Sequence, residues 1–86
     1  MGSAYELYLR HEVHVAISAI KSNPRREIIR FLESLASNPF HIGDYRDRTP
    51  EGREVQVKVI GSHALLYWAD HPAREVKVVD LVQADV

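Results

Sequence analysis

Arg46, Arg48, Arg53 and Lys58 recur along one stretch of the chain, with His41 before them and His63 just after. Grouped cations can hold a phosphate and stabilise charge that builds on it, and an ordinary imidazole carries a proton near neutral pH. His63, His41 and Glu54 are the side chains near these cations that could carry a proton. Asp44, Asp47, Glu51 and Glu54 dilute the same stretch to no net positive charge, which weakens its pull on phosphate. A second cluster, Lys21, Arg25, Arg26 and Arg30, is countered only by Glu27 and could rest on nucleic-acid phosphates. A solvated helix face explains it better, because Arg26 and Arg30 are one turn apart and no aromatics interleave to stack on bases. His11 and His14 make half of a metal site, but no carboxylate spacing completes it, so they read as surface histidines and no metal is expected. Ser62, His63 and Asp70 lack the strand-to-helix elbow of a nucleophilic serine. Without a glycine-rich phosphate loop, no nucleotide or other cofactor is expected.

These residues must be positioned by very little chain. The 86 residues are 45% hydrophobic and 27% charged, which is enough for one domain over 1–86. The net charge of -1 creates no global field toward nucleic acid or anionic lipid. No cysteine is present, which removes disulfides, thiolate metal sites and a cysteine nucleophile. Without a long apolar run or a leader pattern, the chain reads as soluble and cytoplasmic, with no membrane partner. Met1-Gly2-Ser3 is compatible with a cloning remnant and carries no weight in the fold.

Tyr5, Leu7 and Leu9 alternate with Glu6, Tyr8 and Arg10 as in a strand. From Val13 the spacing changes: Val13, Ala16, Ile17 and Ile20 share one stripe of a helix, and Lys21 suits its last turn. Pro24 interrupts that pattern and starts a second helix, with Asn23 as its cap and Ile28, Leu32 and Leu35 on its apolar face. Asn38-Pro39 ends it. A strand from Gly43 to Arg48, a turn at Thr49-Pro50-Glu51-Gly52 and a strand with alternating Val55, Val57 and Val59 follow. Gly61-Ser62 turns into Ala64 to Ala69, which is apolar on both faces and reads as a central strand. After a turn at His71-Pro72-Ala73, Val76 to Val82 forms the last strand.

The expected architecture is a two-layer α+β fold in which the N-terminal strand joins a mostly antiparallel sheet and a helical hairpin packs on one of its faces. The first strand could lie against the Ala64 to Ala69 strand or its neighbour. On the open face we expect Glu54, Gln56 and Lys58 in register with Leu66 and Trp68, which makes Trp68, Leu66 and Gln56 the candidate partner-binding residues. Tyr67 then faces the core. A homodimer contact through that open face is an alternative use of it.

Leu35-Ala36-Ser37-Asn38-Pro39 closing a helix, Gly43-Asp44-Tyr45-Arg46 opening a strand, the run Arg53 to Val59, and Ala64-Leu65-Leu66-Tyr67-Trp68 together resemble the RelE/ParE toxin superfamily. The likeness extends from Tyr5 to Val82. It implies the toxin of a toxin-antitoxin pair, neutralised by a small antitoxin and acting either by metal-independent cleavage of messenger RNA on the ribosome or by inhibiting DNA gyrase. It also implies phosphate contacts at Arg46, Arg48 and Lys58, with His63 left to carry the proton. Where the ribonuclease branch places an aromatic and then an arginine, this chain has His63 and Ala64. After the last strand that branch carries basic residues and a tyrosine or a His-Tyr pair, whereas this chain reads Val82-Gln83-Ala84-Asp85-Val86. Those departures lean toward action by binding, and a catalytically degenerate member that serves only as a protein-binding module is the alternative.

Overall fold

A computed structural model describes residues 5–84; Met1-Gly2-Ser3 and the terminal Asp85-Val86 lie outside the described residues. The chain runs β1 (Glu6–Leu9), α1 (His11–Ser18), α2 (Ser22–Ser37), β2 (Tyr45–Arg48), β3 (Glu54–Ile60), β4 (His63–Asp70) and β5 (Glu75–Gln83). The strands form one sheet in the order β1-β5-β4-β3-β2. β1 runs parallel to β5, and all other pairings are antiparallel. The expected two-layer α+β arrangement is the one found, and the position of β1 beside β5 settles what strand spacing left open.

Both helices present an apolar stripe to the same face of the sheet. Val13 and Ile17 from α1 and Ile28, Leu32 and Leu35 from α2 pack on Leu65, Tyr67, Val76, Val78 and Leu81. Val13, Ile28, Leu35, Val76 and Val78 have no solvent exposure, so this layer removes the most apolar surface from water.

The break between the helices differs in detail from expectation. Lys21 is the N-cap of α2, not the last turn of α1, and Asn23 and Pro24 lie inside the first turn of α2. The Lys21 carbonyl accepts the Arg25 amide at 2.9 Å, so the helical ladder already begins there. Amides of a first helical turn have no intrahelical acceptor, which is why Pro24 fits there without cost. α1 instead closes through short bonds from the Ala19 amide to the Ala16 carbonyl and from the Ile20 amide to the Ile17 carbonyl.

The register of the sheet overturns one expectation about its faces. Gln56 pairs with Tyr67, Val57 with Leu66 and Lys58 with Leu65. Residues directly opposite each other share a face, so Glu54, Gln56 and Lys58 lie on the helix side, while Val55, Val57 and Val59 join Leu66 and Trp68 on the reverse. This is one residue out of step with the pairing expected, and a shift of one inverts every side chain of a strand. On the reverse, Val55, Val57, Ala64 and Val79 bury one another together with Leu66, Trp68 and Ala84. No helix among the described residues covers that face.

A bulge between β4 and β5 explains how neighbouring valines serve both layers. Leu66 pairs with Asp80 and Tyr67 with Val78, leaving Val79 as the extra residue. Val78 therefore enters the helix-side core and Val79 the reverse cluster.

Candidate functional site

The sequence-predicted residues separate onto the two faces. On the helix side, the pairing of Arg46 with Gln56 and Arg48 with Glu54 carries the ladder of β3 out onto β2. Arg46 Nη1 lies 3.6 Å from Glu54 Oε2, and Lys58 Nζ lies 3.7 Å from Asp44 Oδ1. Arg48 donates from Nη1 to the Gly52 carbonyl at 3.0 Å and so fastens the β2–β3 turn. Each candidate phosphate-binding cation thus has a partner within its own chain.

Asp44 is held by more than Lys58. Its amide donates to the Val57 carbonyl at 2.7 Å, and its Oδ2 accepts the Val59 amide at 2.7 Å. Beside it, the Gly43 amide donates to Gln56 Oε1 at 2.9 Å, so Gln56 holds the approach to β2 instead of lining the reverse face.

Deeper on this side, the Tyr67 hydroxyl lies 3.3 Å from both Nδ1 and the carbonyl oxygen of His41. The Phe31 ring meets His41 and Tyr67 edge-on, with centroids 5.2 and 5.7 Å away. Burial, and then the Asp44 carboxylate, push the Tyr67 hydroxyl up to about 12. It therefore remains a neutral donor across physiological pH. Lys58 Nζ sits 5.8 Å above the Phe31 ring, at the edge of a shallow groove that also includes Arg30 and Glu27.

His63 pairs with Ile60 at the start of β4, and its Nδ1 is buried without a hydrogen-bond partner. It is His41, not His63, that lines the same hollow as Arg46, Glu54, Gln56 and Tyr67. Sequence reasoning weighed His41 only as an alternative, because its approach to Tyr67 depends on the loop after α2 folding back over the sheet.

The basic cluster also divides. Arg25 donates from Nη1 to the Ile20 carbonyl at 3.3 Å and lines a groove with Leu7, Leu9 and Ile29. Arg26 and Arg30 instead flank Gly61 and Ser62. Lys21 caps the helix between them. Arg25 thus lines a different groove from Arg26 and Arg30.

On the reverse face, Trp68 stands between two cations. The Arg53 guanidinium carbon is 3.8 Å from the ring centroid and Lys77 Nζ is 5.2 Å from it. Lys77 also pairs with Asp70 at 3.0 Å and Glu75 at 3.7 Å. The hydrogen bond from Lys77 holds the Asp70 carboxyl below its ordinary range, and the same bond raises Lys77. Tyr8 from β1 and Thr49 from the β2–β3 turn line one cleft with Trp68, although β1 and β2 are opposite edges of the sheet. The sheet is therefore curled into a trough. The Arg53–Trp68 contact was legible only once the register was known: Val55 lies beside Trp68 on this face, and Arg53 is two residues before it.

Beyond Trp68 on this face, Val55, Val57 and Ala64 are buried, and half-buried Leu66 with the more exposed Val59 and Val82 makes up its accessible apolar surface. Val59 and Val82 remain 38% and 41% exposed.

No protein-family model matches the chain, and no curated protein matches it by sequence. Solved structures do match it. The archaeal RelE–RelB complex from Pyrococcus horikoshii OT3 superposes with a TM-score of 0.77 at 13% identity, over 93% of this chain and 94% of the other. The toxin-antitoxin complex RelBE2 from Mycobacterium tuberculosis does so with a TM-score of 0.74 at 16% identity, over 99% and 98%. The intact Escherichia coli RelBE complex gives 0.66 at 15% identity, over 96% and 100%. The chain has the fold of the RelE toxins along essentially its whole described length, as its sequence pattern led us to expect. No helix among the described residues is long and apolar enough to cross a membrane.

Proposed function

We propose that this protein is the toxin-like component of a type II toxin-antitoxin module, neutralised in the cytoplasm by a cognate antitoxin, and that it acts by binding its target instead of cutting RNA. The observation that carries the reading is the whole-chain likeness to RelE chains solved in complex with their RelB partners. Action by binding draws support from the internal pairing of Arg46 and Lys58 and from the exposed Val59 and Val82 on the reverse face. Cleavage of RNA without a metal needs a base, a free cation at phosphorus and an acid for the leaving oxygen in one place. Among the described residues, Nδ1 of His63 has no hydrogen-bond partner, and Arg46 and Lys58 are paired with Glu54 and Asp44. Gyrase fits the binding reading as a target, the ribosome and its messenger RNA fit the cleavage reading, and a homodimer through the trough fits a degenerate module.

The deciding experiment is inducible expression with and without the adjacent small reading frame, scored for growth. Arrest without the neighbour and rescue with it is the expected result, and an Arg46→Ala, Lys58→Ala double variant should remain toxic. Purified protein should leave ribosome-bound messenger RNA intact. Full tolerance without the neighbour removes the toxin role, and cleavage that disappears in the double variant replaces binding with catalysis.

A further inference from the structure

At the Trp68 end of the trough lies a cleft of about 540 Å³, a size suited to a small ligand or to one or two side chains of a peptide. Its walls combine the aromatic residues Tyr8 and Trp68 with Arg10, Arg53, Glu51 and Glu75. Lys77, also in the wall, is already engaged by Asp70 and Glu75. Arg53 spends its charge on the face of Trp68, and neither Arg53 nor Arg10 has a carboxylate within ion-pair distance among the described residues. The β2–β3 turn holds Arg53 in place: the Thr49 amide donates to the Arg53 carbonyl at 2.9 Å, and the Arg53 amide to Thr49 Oγ1 at 3.1 Å.

We propose that this cleft is a carboxylate-recognition pocket, taking a singly charged carboxylate with an adjoining apolar group. The guanidinium fork matches the two oxygens of a carboxylate, and stacking on Trp68 holds the Arg53 fork in plane. Charge selects among oxyanions. With Asp70 and Glu75 both on Lys77, the three cations Arg10, Arg53 and Lys77 stand against the three carboxylates Glu51, Asp70 and Glu75, so the walls carry no surplus charge and a ligand is held by directed donors from Arg10 and Arg53. A phosphate dianion would bring a second negative charge against Glu51 and Glu75 with no surplus cation to meet it. The apolar group then lies on Tyr8, Trp68 and Val79. The carboxylate can belong to a free organic acid or to an acidic residue or chain terminus of a bound polypeptide. This inference is independent of the toxin reading, because its test uses the isolated protein and needs no target.

The chain's single tryptophan forms the cleft wall, so binding reports itself as a change in Trp68 emission, with titration calorimetry as the second readout. N-acetyl-leucine should change the emission saturably, while N-acetyl-leucinamide and inorganic phosphate should not. An acetylated pentapeptide of otherwise neutral residues ending in Gly-Leu, with its one free C-terminal carboxylate, compared with its C-terminal amide, separates a polypeptide source from a free acid by whether it or N-acetyl-leucine binds more tightly. Losing one charge-assisted contact in Arg10→Gln or Arg53→Gln should weaken the acid by about tenfold in calorimetry. Arg26→Gln, remote from the cleft, should bind as the parent does. Circular dichroism confirms folding of each variant. Equal response to acid and amide, tighter binding of phosphate, or undiminished affinity in both folded arginine variants overturns the proposal.

Discussion

Gly43 is where the structure makes its sharpest demand on a single residue. A methyl group there would stand 2.6 Å from the Val57 carbonyl oxygen and 2.9 Å from its carbon. Both are backbone atoms in β3, so no side chain can rotate away. Gly43→Ala must therefore push the entry to β2 off β3. Three bonds are at stake: Gly43 amide to Gln56, Asp44 amide to the Val57 carbonyl, and Val59 amide to Asp44. At about 1 kcal/mol net for each bond, and with some recovered by water at this exposed edge, the loss is about 2 kcal/mol. Gly61→Ala makes the control. Gly61 has φ of 62° with nothing within 4 Å of an added methyl, so only left-handed strain is paid, about 1 kcal/mol. Urea unfolding followed by far-ultraviolet circular dichroism distinguishes them. With a slope of about 1 kcal/mol per molar for so small a domain, the midpoint should fall by about 2 M for Gly43→Ala and about 1 M for Gly61→Ala. If Gly43→Ala proved no worse than Gly61→Ala, the close approach of the loop to β3 would be wrong.

Ile28→Ala, which empties a site with no exposure between α2 and the sheet, should cost about 2–5 kcal/mol in the same assay, with the helix signal retained before the transition. The Tyr67 hydroxyl should give a late step in a spectrophotometric alkaline titration, ionising near pH 12; Tyr67→Phe should abolish that step and cost about 1 kcal/mol. Because its folded pKa is raised above 10.0, the stability this group contributes is fully present below pH 10.0 and declines as the pH rises toward 12. Asp70 has the opposite sign: its depressed carboxyl stabilises the fold above 3.8 and loses that contribution as the pH falls further. The stability gap between the parent and Asp70→Asn should therefore close on acidification in paired unfolding curves.

The local elements were legible because they rest on short-range physics. A spacing of three and four in Val13, Ala16, Ile17 and Ile20, the alternation of Val55, Val57 and Val59, and the turn at Thr49-Pro50-Glu51-Gly52 each follow from backbone periodicity and steric limits within a few residues. Their order sufficed to identify the two layers and to place Tyr67 in the core and Trp68 on the reverse. Alternation says which residues share a face, but it does not say which face meets the helices. That choice belongs to the register between β3 and β4, set by contacts between residues distant in sequence, and it placed Gln56 and Lys58 under the helices and the valines in the trough. Tertiary structure alone also brought His41 to Tyr67, matched Arg46 and Lys58 with carboxylates, and curled the sheet until Arg53 reached Trp68. A cation in the sequence is only a charge; whether it is free to hold a ligand depends on the neighbours that folding gives it.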